Sequence, residues 1–313
     1  MIDDEKIIST IRGTFAKKLL REPEPKALNW FFYEIKSGRI KLEELEKKVE
    51  STPEFKKLEN LRKGYTTTNE GFVIHLDTED WIISRTLALN STWEPKETEF
   101  LKKIITGNMK VLDIGANLGY FTILFSRQVG SEGKVIAFEP NPFSFDLLKK
   151  NIKANNLQNV YAIQKAVSNI SGYEKLYLSK KNHGDNRLFS VPILNSDLDR
   201  DIAQVEVTTL DDYLKDIHID FLKMDVQGSE PKVIEGGYNL IKNSRNLKMM
   251  VEFWPLALKV QGYEPINFLL QLESLDFDIY DLSDDESQRI SSYNELCSKY
   301  QGNLYTNLYC VRN

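Results

Sequence analysis

The chain has 313 residues, 41% hydrophobic and 28% charged, the balance of an ordinary globular protein of two domains or one large one. Its formal net charge is -5 and its lysines are interleaved with glutamates, which reads as solvated helix faces and argues against a nucleic-acid partner. Cys297 and Cys310 have no metal-ligand spacing, the start MIDDEKIIST has no signal-peptide core, and the apolar runs are too short to cross a bilayer. A cytoplasmic, reducing location is the default expectation.

Residues 1–62 read as a small all-α domain. Ile7, Ile8, Ile11, Phe15 and Leu19 recur at helical spacing, Pro23 and Pro25 break the pattern, and Leu28, Phe31, Phe32 and Ile35 resume it. Ser37-Gly38 is a helix stop, Leu42, Leu45 and Val49 mark a third helix, and Thr52-Pro53 reads as an N-cap followed by proline at the first helical position. A second domain is expected over 63–313. Its lead-in, 65–92, reads as a β-hairpin from the alternation of Phe72, Ile74 and Leu76 and the run Trp81-Ile82-Ile83.

From Lys110 onward strands and helices alternate. MKVLDIG, KVIAFEP, VYAIQKAV, IDFLKMD, LKMMVEF and FDIYDL read as strands, 118–129 and 143–155 as helices, and LYTNLYCVR as a closing strand. Apolar strands alternating with helices predict an α/β, doubly wound, Rossmann-like sheet, mostly parallel and covered on both faces. Asp113-Ile-Gly115-Ala116-Asn117-Leu-Gly119 follows the first of these strands directly, a strand-to-helix turn expected to present free backbone N–H groups and glycines that let a ligand approach. The second strand ends at Glu139-Pro140-Asn141, where a carboxylate can accept both ribose hydroxyls of a nucleoside. The third is expected to end at Ala166-Val167-Ser168, beside an adenine edge. A nicotinamide dinucleotide is the competing ligand, but Asn117 replaces the second glycine of its fingerprint, and an acid two residues before Gly115 favours S-adenosylmethionine.

The segments VLDIGANLGYFT, VIAFEPNP, AVSNISG, VTTLDDYL, IDFLKMDVQGSEPKVIEGG and MMVEF occur in an order that resembles the FkbM family of methyltransferases, from about residue 93 to the C-terminus. The resemblance implies a class I methyltransferase sheet with an antiparallel last strand, S-adenosylmethionine as cofactor, and O-methylation of a sugar or a polyketide-like natural product. Gln227 stands where the family usually has glutamate. The string REPEPKALNWFFYEIKSGRIKLEELEKKVESTPEF resembles an uncharacterised helical repeat attached to glycan-related enzymes. That favours a sugar, glycan or glycolipid acceptor, and makes the front helices a packing module or a docking site for a partner.

Methyl transfer to a hydroxyl is an orientation task aided by a general base. Lys223 and Asp225 share one face of a strand whose other residues are apolar, with Asp225 at its carboxyl end. Asp225 is either the base or only the cap of the next turn with Lys223 as its structural partner. Glu252, ending the strand MMVEF, is the second candidate base or acceptor-binding acid. Glu230 either faces the site or complements a helix dipole. His183 in KNHGDNRL is a third candidate base, with Asp185, Asn186 and Arg187 beside it for acceptor recognition; the competing reading leaves His183 merely solvated. His75 and His218 read as structural. No histidine or cysteine pairing with metal-binding spacing occurs, so a metal is not suggested, although a few carboxylates could still gather around a divalent ion. A non-catalytic cofactor-binding or glycan-assembly protein is the non-enzymatic alternative.

Overall fold

The computed structural model describes residues 3–190, 200–215, 217–283 and 288–312. The chain divides into two compact units, Met1–Trp93 and Glu94–Asn313.

In the first unit, helix Asp4–Leu19 starts where Asp3 accepts the N–H of Glu5 and buries Ile7, Ile11, Phe15 and Leu19 on one stripe. Helix Pro25–Lys36 buries Phe31 and Ile35 beneath it, and a 3-10 turn, Leu42–Glu44, leads into three shorter α-helices that end at Lys63. Strands β1 (Tyr65–Thr67) and β2 (Val73–His75) form the expected hairpin, with Tyr65 opposite His75. The strand character expected around Trp81-Ile82-Ile83 does not continue, because Ile83–Asn90 is a helix. Arg85 on that helix donates to the carbonyl of Leu19 at 2.7 Å and pairs with Glu54, which also accepts from Arg21 at 2.7 Å. Those bonds tie residues up to 90 to the front helices, so the structural division falls at 93/94, with the hairpin on its N-terminal side.

The second unit is built on an eight-stranded sheet. Its strands are β3 (Lys110–Ile114), β4 (Lys134–Phe138), β5 (Val160–Ile163), β9 (Phe221–Met224), β10 (Lys248–Phe253), β11 (Asp278–Asp281), β12 (Gln288–Arg289) and β13 (Thr306–Val311). The order is β12-β11-β13-β10-β9-β3-β4-β5. Strands β10, β9, β3, β4 and β5 run parallel, and β13 pairs antiparallel with β10. Chain order reverses between β3 and β9, so their carboxyl ends open a crevice at the switch point of a doubly wound, Rossmann-like sheet. Helices Tyr120–Val129 and Pro142–Ala154 begin right after β3 and β4. The main core packs Leu112, Ile114, Phe138, Leu222, Met224, Val251 and Phe253 against the helices and β13.

One expectation is corrected here. VYAIQKAV is not a single strand: β5 stops at Ile163, and β6 (Ala166–Val167) joins a separate three-stranded sheet with β7 (Gly172–Leu178) and β8 (Asp201–Thr208). Strands β7 and β8 are solvated on one side and alternate in burial, so they lack the continuous apolar run that marks the central strands. Gly236 locks β6 to the main sheet's helices, since a Cβ there would lie 2.1 Å from the Ser168 carbonyl oxygen. Gly236→Ala is expected to destabilise the protein by about 1–3 kcal/mol, the usual cost of overpacking against backbone that cannot move. Urea unfolding measures it, and an unchanged midpoint would show that β6 yields.

Candidate active site

The five parallel strands end together, and the turns leaving them carry most of the candidate residues. In the turn after β3, Gly115, Asn117 and Gly119 have φ values of 80°, 51° and 95°. The N–H groups of the turn itself, from Gly115 to Gly119, are taken up internally. Gly115 and Ala116 both donate to the Phe138 carbonyl at 3.0 Å, and Gly119 donates to the Ala116 carbonyl at 2.9 Å. Asn117 N–H donates to Glu139 Oε2 at 2.8 Å and Leu118 N–H to Asn117 Oδ1 at 2.6 Å. The glycines also serve internal packing more than ligand approach: a Cβ on Gly115 would lie 2.0 Å from the Asp225 carbonyl oxygen, and one on Gly119 would lie 2.5 Å from Leu148 Cδ1. Ala116 packs its methyl against Ala137, Phe145 and Leu148.

What this region offers a ligand is therefore acceptors. Asp113, fully buried, takes the Thr122 hydroxyl on Oδ2 at 2.5 Å and leaves Oδ1 without a partner. Burial pushes its carboxyl up, opposed by Lys223 and Thr122. Glu139 follows β4 with both oxygens on backbone, Oε2 on Asn117 N–H and Oε1 on Asn141 N–H at 2.9 Å. Burial pushes it up to about 7 against those two hydrogen bonds. Pro140 is half-buried, and Asn141 caps helix Pro142–Ala154 by accepting from Phe143 N–H at 3.1 Å. At the end of β5 the sheet edge is Ile163. Ala166 and Val167 turn their side chains into apolar clusters instead, Val167 into the main core and Ala166 under the three-stranded sheet.

Lys223 stands opposite Asp113 across the β3–β9 register and is 3% exposed. Its Nζ lies 3.6 Å from Asp225 Oδ2 and 5.0 Å from the Phe121 ring centroid. Burial lowers the ammonium, but Asp225, Asp113, Glu94 and Glu252 outweigh it and raise it on balance. Asp225 begins the turn after β9, anchored by its N–H to the Ile114 carbonyl at 3.1 Å, its side chain 30% exposed. Glu252 near the end of β10 is 4% exposed, with Oε2 unpartnered. Burial raises it well above the usual carboxylate range, and Asp225, Glu230 and Glu94 add to the shift. Glu230 accepts the N–H groups of Val226 and Gly228 at 3.1 and 3.2 Å, its other oxygen is buried and unpartnered, and burial pushes it up to about 7. It thus both caps its own turn and adds a carboxyl to the cluster.

Two members of this group escape sequence reading. Glu94 sits at φ 41° ahead of the proline that opens helix Pro95–Ile104. Burial pushes it up to about 8, with Asp225 adding and Lys223 opposing. Tyr305 precedes β13 with its ring half exposed, and its hydroxyl is raised by burial and then by Glu252, Glu94 and Asp225. The one signal for Glu94 is an acid directly before a helix-starting proline. Tyr305 leaves no signal, since only the antiparallel return of β13 brings it to this edge.

His183 lies by the cofactor turn. Its carbonyl accepts from Asn117 Nδ2 at 2.9 Å, and its ring stands edge-on to Phe143 at 6.2 Å. Asp185 is clamped by Arg187 and Arg200, at 2.5 and 2.6 Å, and the buried Arg187 lies 4.8 Å from the Trp254 ring centroid. Asn186 donates to the His183 carbonyl at 2.9 Å, so this loop is braced from within. His75 lies in β2 of the first unit and His218 just ahead of β9. Among the described residues, no group of three or more His, Cys, Asp or Glu side chains is placed to hold a metal ion, and no helix is long and apolar enough to cross a membrane.

A parallel doubly wound sheet with acids at the switch point, and a first turn whose N–H groups from Gly115 to Gly119 are all engaged, is compatible with a methyltransferase site. Residues 113–278, more than half of the chain, match the model of the Methyltransferase FkbM domain, and the chain belongs to that family. It is an S-adenosylmethionine-dependent methyltransferase. Methyltransferase sdnD of Sordaria araneosa is 27% identical over 203 residues, 55% of this chain and 73% of that one. Methyltransferase 1 of Beauveria bassiana (strain ARSEF 2860) is 28% identical over 146 residues, 40% of this chain and 57% of that one. The crystal structure of Methyltransferase FkbM from Methylobacillus flagellatus KT aligns with a TM-score of 0.42 at 12% identity, covering 92% of this chain and 71% of that one.

The residues present fit such a donor. Asp113 Oδ1 is a buried carboxyl oxygen with no partner, suited to an ammonium, and each Glu139 oxygen keeps acceptor capacity for a hydroxyl. Glu139→Ala removes that acceptor and two braces of the turn, so donor affinity is expected to fall by tenfold or more, about the loss of one charge-assisted hydrogen bond. Calorimetry with S-adenosylmethionine reads it, and an unaltered Kd removes Glu139 from the donor site. The raised carboxyls carry a second expectation. Glu94, Glu139 and Glu230, at about 8, 7 and 7, stand above the roughly 4.3 of an unfolded glutamate. The stability they contribute is present below the unfolded value and is lost as pH rises through the folded ones. The ligand-free protein should thus unfold at lower urea at pH 8.5 than at pH 5.5, and Glu230→Gln should flatten the slope.

Proposed function

We propose that this enzyme transfers the methyl group to a hydroxyl oxygen of a neutral, polyhydroxylated acceptor, a sugar, glycan or glycolipid, with Asp225 as the base. The observation that carries the reading is the concentration of carboxyl groups in the site. Glu94, Asp225, Glu230 and Glu252 gather with one buried ammonium, Lys223, among them. Hydroxyl groups find carboxyl oxygens to donate to there, and an anionic acceptor would have Lys223 alone, among the described residues, as a fixed positive partner. Tyr305 offers a half-exposed ring against which the apolar face of a sugar packs. Asp225, partly exposed and held at the sheet edge, is the acid best placed to take the hydroxyl proton; Lys223 holds it from behind and Glu252 flanks it. Asp113 and Glu139 would hold the amino-acid and ribose parts of the donor, and His183 would brace the donor turn through its backbone. The bound donor supplies an activated methyl; the chain aligns it, excludes water and receives one proton.

Asp225→Asn is expected to slow transfer by roughly a hundredfold or more, the contribution typical of a general base, while donor affinity changes little. Glu252→Gln serves as the comparison. A panel of neutral glycosides and glycolipids, carboxylic acids, phosphate esters and phenols, incubated with methyl-labelled S-adenosylmethionine, tests the acceptor class. Label confined to acids, phosphates or phenols would overturn the polyol reading. Near-full activity in Asp225→Asn beside loss in Glu252→Gln would move the base to β10.

A further inference from the structure

The turn after β9 holds a side chain that the transfer chemistry above does not use. Gln227 Nε2 donates to Asp225 Oδ1 at 2.7 Å and to Glu252 Oε1 at 2.9 Å. Both partners are carboxyl oxygens, so the amide nitrogen, with its two protons, is the end that faces them. A glutamate here would set a third carboxyl between two others.

The backbone is arranged to deliver this amide. Gln227 is a non-glycine residue at φ 56°, a conformation costing of order 1 kcal/mol that persists only where the surroundings enforce it. Those surroundings are visible. Asp225 N–H is fixed to the end of β3, and the N–H groups of Val226 and Gly228 converge on Glu230 Oε1. The Gly228 carbonyl accepts from Gln261 Nε2. A Cβ at Gly228 would lie 2.5 Å from Ala257 Cβ and 3.1 Å from Phe189 Cζ, so the turn is walled on two sides.

We infer that Gln227 is the positioning residue of this active site: its amide ties Asp225 to Glu252 and orients the Asp225 carboxylate, leaving Oδ2 as the oxygen offered to the acceptor hydroxyl beside Lys223. Gln227 touches neither donor nor acceptor in this scheme and acts through Asp225. The inference rests on the reading of Asp225 as base, and the two can fail separately. The charged and titratable groups around the bridge are Lys223 on β9, Glu230 in its own turn, Glu94 ahead of its helix and Tyr305 ahead of β13.

Two variants test it. Gln227→Leu removes both hydrogen bonds at similar size, and Gln227→Glu replaces the amide by a carboxyl. The first readout needs no acceptor. In Gln227→Glu the new carboxyl takes a folded pKa above its unfolded value of roughly 4.3, so it matches the wild-type protein in stability near pH 4.5 and falls behind as pH rises. Urea midpoints from pH 4.5 to 8.5 report this, and a midpoint difference that is flat across that range overturns the bridge. The second readout is labelled-methyl transfer to the acceptor found in the panel above. Gln227→Leu is expected to lower kcat roughly tenfold or more with KM and donor Kd held within about twofold, as a misaligned base requires. Gln227→Glu is expected to retain activity at the acid end of its pH profile and lose it as the carboxyl ionises. In an Asp225→Asn background, Gln227→Leu should have no further effect on kcat. A full additive loss there, or a loss confined to KM, overturns the positioning role. An inactive Gln227→Leu beside a fully active Asp225→Asn removes the base reading while leaving the bridge as the stability series finds it.

Discussion

The site depends on one buried ammonium. Lys223 lies on a central strand with almost no access to water, where an uncompensated charge costs several kcal/mol. It is tolerated because backbone from separate elements brings acids to it: β3 carries Asp113 to the adjacent register position, the turn after β9 carries Asp225, β10 carries Glu252, and Glu94 enters at the head of a helix. The dependence runs both ways. Burial raises every one of the shifted carboxyls, and Lys223 opposes the rise in Asp113, Glu94 and Glu252. The cluster is a set of acids whose burial favours their protonated forms, gathered around a single ammonium that favours their ionised ones.

The order of elements was legible because each is set by local sequence. Asp113 and Glu139 follow apolar runs that end in turn residues, and Lys223 and Asp225 interrupt an apolar strand, so periodicity alone places them at the sheet's carboxyl edge. The separate sheet of β6, β7 and β8 was not legible: β6 has two residues, and the half-solvated β7 and β8 lack the apolar continuity of the central strands. Glu94 and Tyr305 were missed for a different reason. They reach the cluster by tertiary return, from a helix entry and from the antiparallel last strand, and no local pattern encodes a meeting of segments so distant in the chain. Gln227 was visible only as a departure from glutamate. The departure acquires a physical meaning once its amide is seen donating to two carboxyls at once, which an ionised glutamate cannot do.

Strain marks the same places. Of the non-glycine residues at positive φ, three belong to this region: Glu94 at 41°, Asn117 at 51° and Gln227 at 56°. Glycine would relieve the backbone at each, yet each side chain has work there. Asn117 donates to the His183 carbonyl and accepts the Leu118 N–H, Gln227 joins two acids, and Glu94 completes the charge set around Lys223. The same two turns use glycine at Gly115, Gly119 and Gly228, where side-chain volume is excluded by contacts under 3 Å.

The first turn bears on which class of ligand this Rossmann-like frame admits. In a dinucleotide site the first turn must keep its N–H groups open for a pyrophosphate. In this chain all five N–H groups from Gly115 to Gly119 are taken up internally, two of them by the Phe138 carbonyl and one by Glu139 itself. An anion arriving at this turn finds its N–H groups already engaged and two carboxyls, Asp113 and Glu139, beside it. What remains unsatisfied is acceptor capacity, most plainly the buried Asp113 Oδ1. A ligand rich in donors and positive charge meets that need, and a methyl donor with an ammonium, a sulfonium and two ribose hydroxyls is such a ligand. The same frame changes ligand class by changing which atoms the turn leaves over, with no change in the order of its strands.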